Sequence, residues 1–217
     1  MRGNALRALT AGLMLSLLGA PVYAANAVKE DPAEVVQATT DRLLQLITEN
    51  KETYRQNPRE FYKVMDQLVL PRFDWPYISK LILARNWESA DQALRDRFAT
   101  AFQSMLLKTY ADALLEYHDA AKVQWLGSET HPSKPLARVS SQLLRAEGAP
   151  IPVGFAMHQT DSSWKVYDIS IDSISLINSF RGQFSAEIRN NGLEALIKRL
   201  ESTKIKSAQE AVAEAKG

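Results

Sequence analysis

Apolar residues recur at helical spacing along the first half of the chain. Each run of them follows a polar or proline-containing start signal, and the start signals are Asp31-Pro32, Asn57-Pro58, Asp74 and Ser89. Pro71 ends the second run. The fourth run continues to Tyr117, a span of about 28 residues, so we expect a bend within it. The pattern predicts four helices.

The period changes to two beyond Lys122. Apolar and polar residues alternate in four short runs, which are centred on Val123–Trp125, Val139–Leu143, Val153–Met157 and 164–171. Helical spacing then returns over residues 173–191, where Gly192 ends the helix, and continues over residues 193–200. The sequence therefore predicts an α+β domain with an antiparallel meander of about four strands between two helical parts.

The first 24 residues have the composition of a secretory signal peptide. Arg2 and Arg7 precede an apolar run, and small residues stand at Val22 and Ala24, the positions that a signal peptidase reads. The apolar run is too short for a membrane span, which needs about 20 residues. We expect cleavage after Ala24, one domain over residues 25–204 and a frayed tail over residues 205–217. The expected location is the periplasm.

Charge and cysteine content exclude several classes of protein. Without Arg2 and Arg7, 24 basic residues face 25 acidic ones, whereas a nucleic-acid-binding protein would carry a basic excess. The chain has no cysteine, which excludes a disulfide scaffold, a thiol nucleophile and a cysteine-ligated metal.

Polar residues offer little catalytic chemistry. His118, His131 and His158 lack the spacing of a metal site, so we expect no metal. Asp168 and Asp172 could act as an acid–base pair, but their places at a strand end favour turns and caps. A basic face at Lys198-Arg199 is open to two interpretations, a solvated helix surface or a docking patch. The large apolar residues are likewise compatible with an ordinary core or with a ligand cavity.

The order of several strings resembles the MlaC family, also called the toluene-tolerance family. The strings are Phe73-Asp74, Ile78-Ser79-Lys80-Leu81-Ile82-Leu83, Trp87, Phe98, Phe102, Leu107, Tyr110, Trp164-Lys165-Val166-Tyr167-Asp168-Ile169, Ser173-Ile174-Ser175-Leu176-Ile177 and Arg181-Gly182-Gln183-Phe184. The match covers about residues 32–200. One departure is Ser173, because the family often has glycine shortly before the Ser-Leu-Ile segment.

The resemblance implies a fold, a cargo and partners. The fold would be NTF2-like, with a curved antiparallel sheet wrapped by helices around an apolar cavity. The protein would be a phospholipid carrier without catalytic activity or cofactor. It would act as a monomer between an outer-membrane lipoprotein–porin complex and an inner-membrane ABC transporter with an MCE-domain ring, and so maintain outer-membrane lipid asymmetry.

Inward-facing positions on the predicted elements supply the candidate lipid-binding residues. They are Leu106, Tyr110, Leu114, Val139, Leu143, Val153, Phe155, Met157, Trp164, Val166, Ile174 and Ile177. Three other functions stay open. The first is an enzyme on an NTF2-like scaffold that acts on an apolar substrate, with Asp168 or His158 as base. The second is a binding protein for a small polar solute. The third is a periplasmic chaperone with an exposed apolar surface.

Overall fold

A computed structural model describes residues 30–117, 122–145, 147–160 and 163–202. The expected signal peptide, the expected tail and His118 lie outside these ranges. The helices before the sheet are α1 (Pro32–Gln56), α2 (Pro58–Val64), α3 (Trp75–Leu83), α4 (Arg85–Ser89) and α5 (Gln92–Tyr117). Two further helices, α6 (Leu176–Asn191) and α7 (Leu193–Ser202), follow it. Between α2 and α3 the chain forms a π-helical turn, Met65–Val69, and a 3₁₀ turn, Leu70–Arg72.

Polar caps set several of the helix ends. Asp31 caps α1 by accepting a hydrogen bond from the Ala33 N–H at 2.8 Å, and Asp74 caps α3 through the Tyr77 N–H at 3.0 Å. Both starts agree with the sequence pattern. The prediction that Ser89 begins the long helix is wrong, because Asp91 accepts from the Leu94 N–H at 2.8 Å and α5 starts there.

The expected bend also falls elsewhere. The 26 residues of α5 form one helix, and the chain breaks before it, where Ala90 has an extended backbone. Non-helical backbone inside a helix occurs instead in α1, at Asn50. The side-chain amide of Asn50 donates to the Leu46 carbonyl at 3.0 Å, which is local competition with the helical hydrogen bonds.

The strands form a five-stranded antiparallel meander in the order β1-β2-β3-β4-β5. Their bounds are β1 (Lys122–Thr130), β2 (Leu136–Leu144), β3 (Ile151–Gln159), β4 (Trp164–Ile171) and β5 (Ile174–Ser175). The register shifts between Trp125 and Gly127 in β1 and opposite Ala156 in β3, and such bulges curve a sheet. The predicted α+β fold with a curved antiparallel sheet is confirmed.

The start of α6 corrects another prediction. Residues 172 and 173 form the tight turn between β4 and β5, so the helix begins at Leu176 rather than at Ser173. Asp172 and Ser173 have φ of 50° and 67°, as a type I′ hairpin turn requires of its two central residues. Ser173 thus keeps the backbone that glycine adopts most easily. At its other end α6 stops at Gly192, as the sequence predicts.

We expect Ser173→Gly to raise the free energy of unfolding by about 0.5–1 kcal/mol. Glycine removes the Cβ strain of the left-handed backbone, and its greater freedom in the unfolded chain offsets part of that gain. Ser140→Gly, inside β2 and not among the positive-φ residues, is the control and should destabilise by about 0.5–1 kcal/mol. Urea unfolding of the two variants checks the signs, and a loss of stability in Ser173→Gly would contradict the strain argument.

Three clusters of buried side chains form the interior. A helical cluster joins α3, α5, α6 and α7 around Phe98, Phe102 and Phe184. A sheet cluster packs the first turns of α1 on Val139, Met157 and Val166 of the sheet, and a third cluster joins α1, α2 and α5 around Ile47 and Phe61. The spaces described next border these clusters.

Candidate binding site

One apolar space lies between α1 and the sheet. We call it the sheet pocket, and its lining residues are Val35, Val36, Thr39, Thr40, Leu43, Val69, Arg72, Phe73, Phe155 and Val166. It holds about 420 Å³ of space between protein atoms, part of it open to solvent. Arg72 is the charged member, and its side chain is 40% exposed, so this part of the wall lies near the surface. The Arg72 guanidinium and Glu30 are 3.9 Å apart, a long ion pair.

A second apolar space lies between the helices and β4. We call it the helix pocket, and its lining residues are Phe73, Trp75, Ile78, Ile82, Phe102, Leu106, Tyr167, Asp168, Ile169, Leu176, Ile177 and Phe180. It holds about 380 Å³, again partly open to solvent. Both spaces are thus apolar clefts that reach from the surface towards the buried clusters.

Phe73 lines both pockets. Its ring stacks on Trp75 at 5.3 Å between centroids, and the Trp75 indole N–H donates to the Leu70 carbonyl at 3.0 Å. The backbone of Phe73 bridges Val166 of β4, and the Asp74 N–H donates to the Val166 carbonyl at 3.0 Å. These contacts fix Phe73 at the line where the helical part meets the sheet.

Asp168 is the acidic residue in the wall of the helix pocket. One carboxylate oxygen accepts from the Ser175 hydroxyl at 2.6 Å, and the other accepts from the Ile177 N–H at 3.1 Å. Ser175 itself caps α6 by accepting from the Asn178 N–H at 3.1 Å. Both carboxylate oxygens thus hold the start of α6 against β4, which is the capping role that the strand-end position favours.

His158, the other base considered for an enzyme, belongs to a polar and aromatic cluster on β3. Its Nε2 lies 2.9 Å from Oδ2 of Asp74, and its ring stacks on Tyr77 at 4.8 Å. Tyr167 packs edge-on against His158 at 5.6 Å. Burial, with smaller contributions from Tyr77 and Asp168, raises the pKa of Tyr167, so its phenol stays neutral at neutral pH. The cluster fastens β3 and β4 to the start of α3.

Four of the candidate lipid-binding residues line the two pockets. Leu106 and Ile177 face the helix pocket, whereas Phe155 and Val166 face the sheet pocket. Val139, Met157 and Trp164 are buried in the sheet cluster, and the Trp164 indole N–H donates to the Glu30 carbonyl at 2.8 Å. These three are core residues in this structure.

The remaining candidates lie outside both pockets. Leu114 packs against the third cluster, Leu143 is half-buried, and Val153 borders a groove with Arg138 and Ser140. The expectation that Tyr110 and Ile174 face inward is wrong, since they are 49% and 63% exposed. Ile174 is exposed because it follows the tight turn on the short edge strand β5. Lipid contact at any of the twelve positions stays a prediction.

Sequence reasoning missed most of the pocket walls. The missed residues come from α1, from the turns before α3, and from α3, α5, α6 and β4. They include Val36, Thr39, Arg72, Phe73, Ile78, Phe102, Tyr167, Ile169 and Phe180. One feature of the sequence could have pointed to Phe73, because it opens the first string of the family resemblance. Periodicity identifies which residues of α1 and α3 face inward. It does not show which of them border a pocket and which pack against other side chains.

One wider groove on the surface is polar. It holds about 980 Å³, partly open to solvent, and is lined by Glu30, Asp31, Ser128, His131 and other mostly exposed residues. In the described ranges, no three histidine or acidic side chains are grouped closely enough to hold a metal ion. None of the helices in these ranges is long and apolar enough to span a bilayer.

A model of the MlaC protein family matches residues 37–202. The chain belongs to the MlaC family. A relative from Pseudomonas putida, described as toluene tolerance protein ttg2D, is 31% identical over 186 residues, which is 83% of each chain. The intermembrane phospholipid transport system binding protein MlaC of Haemophilus influenzae is 22% identical over 175 residues, covering 79% of this chain and 81% of the relative.

The fold of this MlaC-family chain has a counterpart among solved structures. A phospholipid-binding protein from Ralstonia solanacearum, solved in complex with a phospholipid, superimposes with a TM-score of 0.71 at 23% identity. The match covers 87% of this chain and all of the other. This likeness supports the fold, and the family match together with the P. putida relative confirms the family that the ordered strings indicate.

Proposed function

We propose that this protein is a periplasmic phospholipid carrier that moves diacyl lipids between an outer-membrane lipoprotein–porin complex and an inner-membrane ABC transporter with an MCE-domain ring. The observation that carries the proposal is the pair of apolar pockets, both lined by Phe73, in a chain of the MlaC family. The names of the H. influenzae and R. solanacearum proteins, which state phospholipid transport and phospholipid binding, support it.

The energetics of lipid transfer explain why such a carrier needs enclosed apolar space. Moving a 16-carbon chain from water into an apolar lining is worth roughly 13 kcal/mol gross, at about 0.8 kcal/mol per methylene. A polar headgroup gains nothing from burial without partners, so it stays at the surface. We expect Arg72, which is partly exposed at the wall of the sheet pocket, to contact the lipid phosphate there.

The same free energy opposes spontaneous release of the lipid into water. Release therefore needs an acceptor whose apolar surface is continuous with the pocket, as in a collision with a partner protein. The role requires no chemical step in this chain. The carboxylate oxygens of Asp168 are used to hold α6, which supports a structural role for that residue.

Transfer to the proposed inner-membrane partner is the direct test. Protein loaded with radiolabelled phospholipid should pass the label to the purified MCE-domain ring of the same bacterium, and label should move back when the ring is the loaded component. An unrelated soluble protein of similar size serves as the control acceptor. Label that stays on the carrier, or that moves equally to the control, would contradict transfer by a specific partner.

A further inference from the structure

We infer that residues 69–74 form a strap that opens locally when lipid enters or leaves. The strap runs from the end of the π-helical turn to Asp74, the N-cap of α3. It contributes Val69, Arg72 and Phe73 to the wall of the sheet pocket, and Phe73 also lines the helix pocket. The inference rests on the proposed function and adds the movement by which both pockets become accessible.

The strap lies between two buried anchors and has little burial of its own. Phe61 and Ile78 are 0% and 5% exposed, whereas none of the residues between them, all of which the structure describes, is buried. The backbone is also irregular here, because a π-helical turn and a 3₁₀ turn stand in place of α-helix. A short irregular segment with few buried apolar contacts is the kind that opens without unfolding the rest of a domain.

Backbone contacts close the strap on β4. The Asp74 N–H donates to the Val166 carbonyl at 3.0 Å, and Phe73 forms an isolated bridge with the same strand residue. The Lys165 ammonium group donates to the carbonyl of Pro71. The strap is thus attached to the sheet at one bridge position rather than along a ladder of strand pairs.

A side-chain pair completes the closure. Nε2 of His158 on β3 lies 2.9 Å from Oδ2 of Asp74, and the two side chains are 18% and 22% exposed. Water reaches this pair, so water can take over its hydrogen bonds when the strap moves. The strap is therefore held shut largely by polar contacts, while the buried side of α3 stays in the helical cluster. In this arrangement His158 and Lys165 are positioning residues.

A disulfide that holds the strap shut tests the movement. The chain has no cysteine, so an engineered pair has no competing thiol. Phe73→Cys with Val166→Cys joins the two bridge partners, whose spacing is that of neighbouring strands and suits a disulfide. Gln124→Cys with Gln142→Cys, which pair between β1 and β2, is the control. Each protein is loaded with radiolabelled phosphatidylethanolamine and mixed with unlabelled vesicles, once oxidised and once reduced.

We expect the oxidised strap variant to exchange lipid at least five-fold more slowly than its own reduced form. The oxidised control should exchange at the rate of its reduced form. Comparing two redox states of one variant removes the effect of the substituted side chains. A difference smaller than five-fold in the strap variant would overturn the inference, because lipid would then leave without movement of the strap.

Variants that release the strap test the same movement without a disulfide. His158→Leu with Lys165→Met removes two of the polar contacts, and neither residue is in the lining of the two pockets. We expect exchange at least three-fold faster than in the wild type. His158→Gln with Lys165→Arg keeps a hydrogen-bonding group at both positions and should change the rate by less than three-fold.

The outcomes separate the strap from the proposed function. Equal rates in the two double variants, or no acceleration in the first, would overturn the strap while lipid uptake by the wild type stands. A wild-type protein that takes up no labelled lipid contradicts the proposed function itself.

Discussion

Phe155→Asp should remove bound lipid from a folded protein, whereas Met157→Asp should prevent folding. Both residues lie on β3, and both pack towards α1. Phe155 lines the sheet pocket and is half-buried, so an aspartate there reaches the edge of the pocket and keeps contact with water. We expect it to fold with a loss of about 1–3 kcal/mol and to lose at least ten-fold in bound phospholipid.

Met157 is fully buried in the sheet cluster and lines neither apolar pocket. A carboxylate at this position has no partner, so Met157→Asp should cost more than about 4 kcal/mol, enough to prevent folding of a marginally stable domain. Lipid phosphorus per mole of purified protein and the urea midpoint measure the two effects separately.

Phe155→Leu and Met157→Leu are the apolar controls, and both should fold and retain lipid. If Phe155→Asp loses folding and lipid to the same extent as Met157→Asp, Phe155 is an ordinary core residue. A folded Met157→Asp variant without lipid would instead extend the binding space to the centre of β3.

Asp168→Ala should be the second large effect, and it should act through stability. The substitution removes two charge-assisted hydrogen bonds, one from the Ser175 hydroxyl and one from the Ile177 N–H, at the start of α6. Such bonds are worth about 1.5–3 kcal/mol each and part of this is recovered from water, so we expect a loss of about 2–4 kcal/mol. Leu176, Ile177 and Phe180 of α6 line the helix pocket, so retained lipid should fall with stability.

Two companion variants sharpen the Asp168 prediction. Asp168→Asn keeps the acceptor oxygen for one of the bonds and should cost about half as much. Asp41→Ala, at an exposed position of α1, should stay within about 0.5 kcal/mol of the wild type. Unchanged stability in Asp168→Ala, together with loss of a lipid-cleaving activity, would identify Asp168 as catalytic and favour the enzyme hypothesis.

Local signals in the sequence predict much of this fold. Asp31 and Asp74 cap helices where their positions next to proline or aromatic starts indicate, and Gly192 ends α6. The four alternating runs become β1 to β4, because alternation is a property of single strands. The errors occur where two nearby residues could both cap a helix. Asp91, rather than the predicted Ser89, caps α5.

The binding site is less accessible to such reasoning. Phe155 and Met157 have the same period and the same face, yet one borders space and the other fills the core. The difference arises from α1 and the turns at Val69 and Phe73, which reach the sheet across long sequence separations. Alternation identifies the inner face of a strand, but only the packing of distant segments decides which part of that face is left open.

Native mass spectrometry of the protein purified from a bacterial periplasm without detergent tests the central claim most directly. The account predicts a mass increase of one phospholipid, confirmed by lipid extraction, and a lower unfolding temperature after delipidation, because a ligand bound only to the folded state stabilises it. A protein that emerges free of lipid, takes none up from vesicles and unfolds at the same temperature throughout would contradict the account.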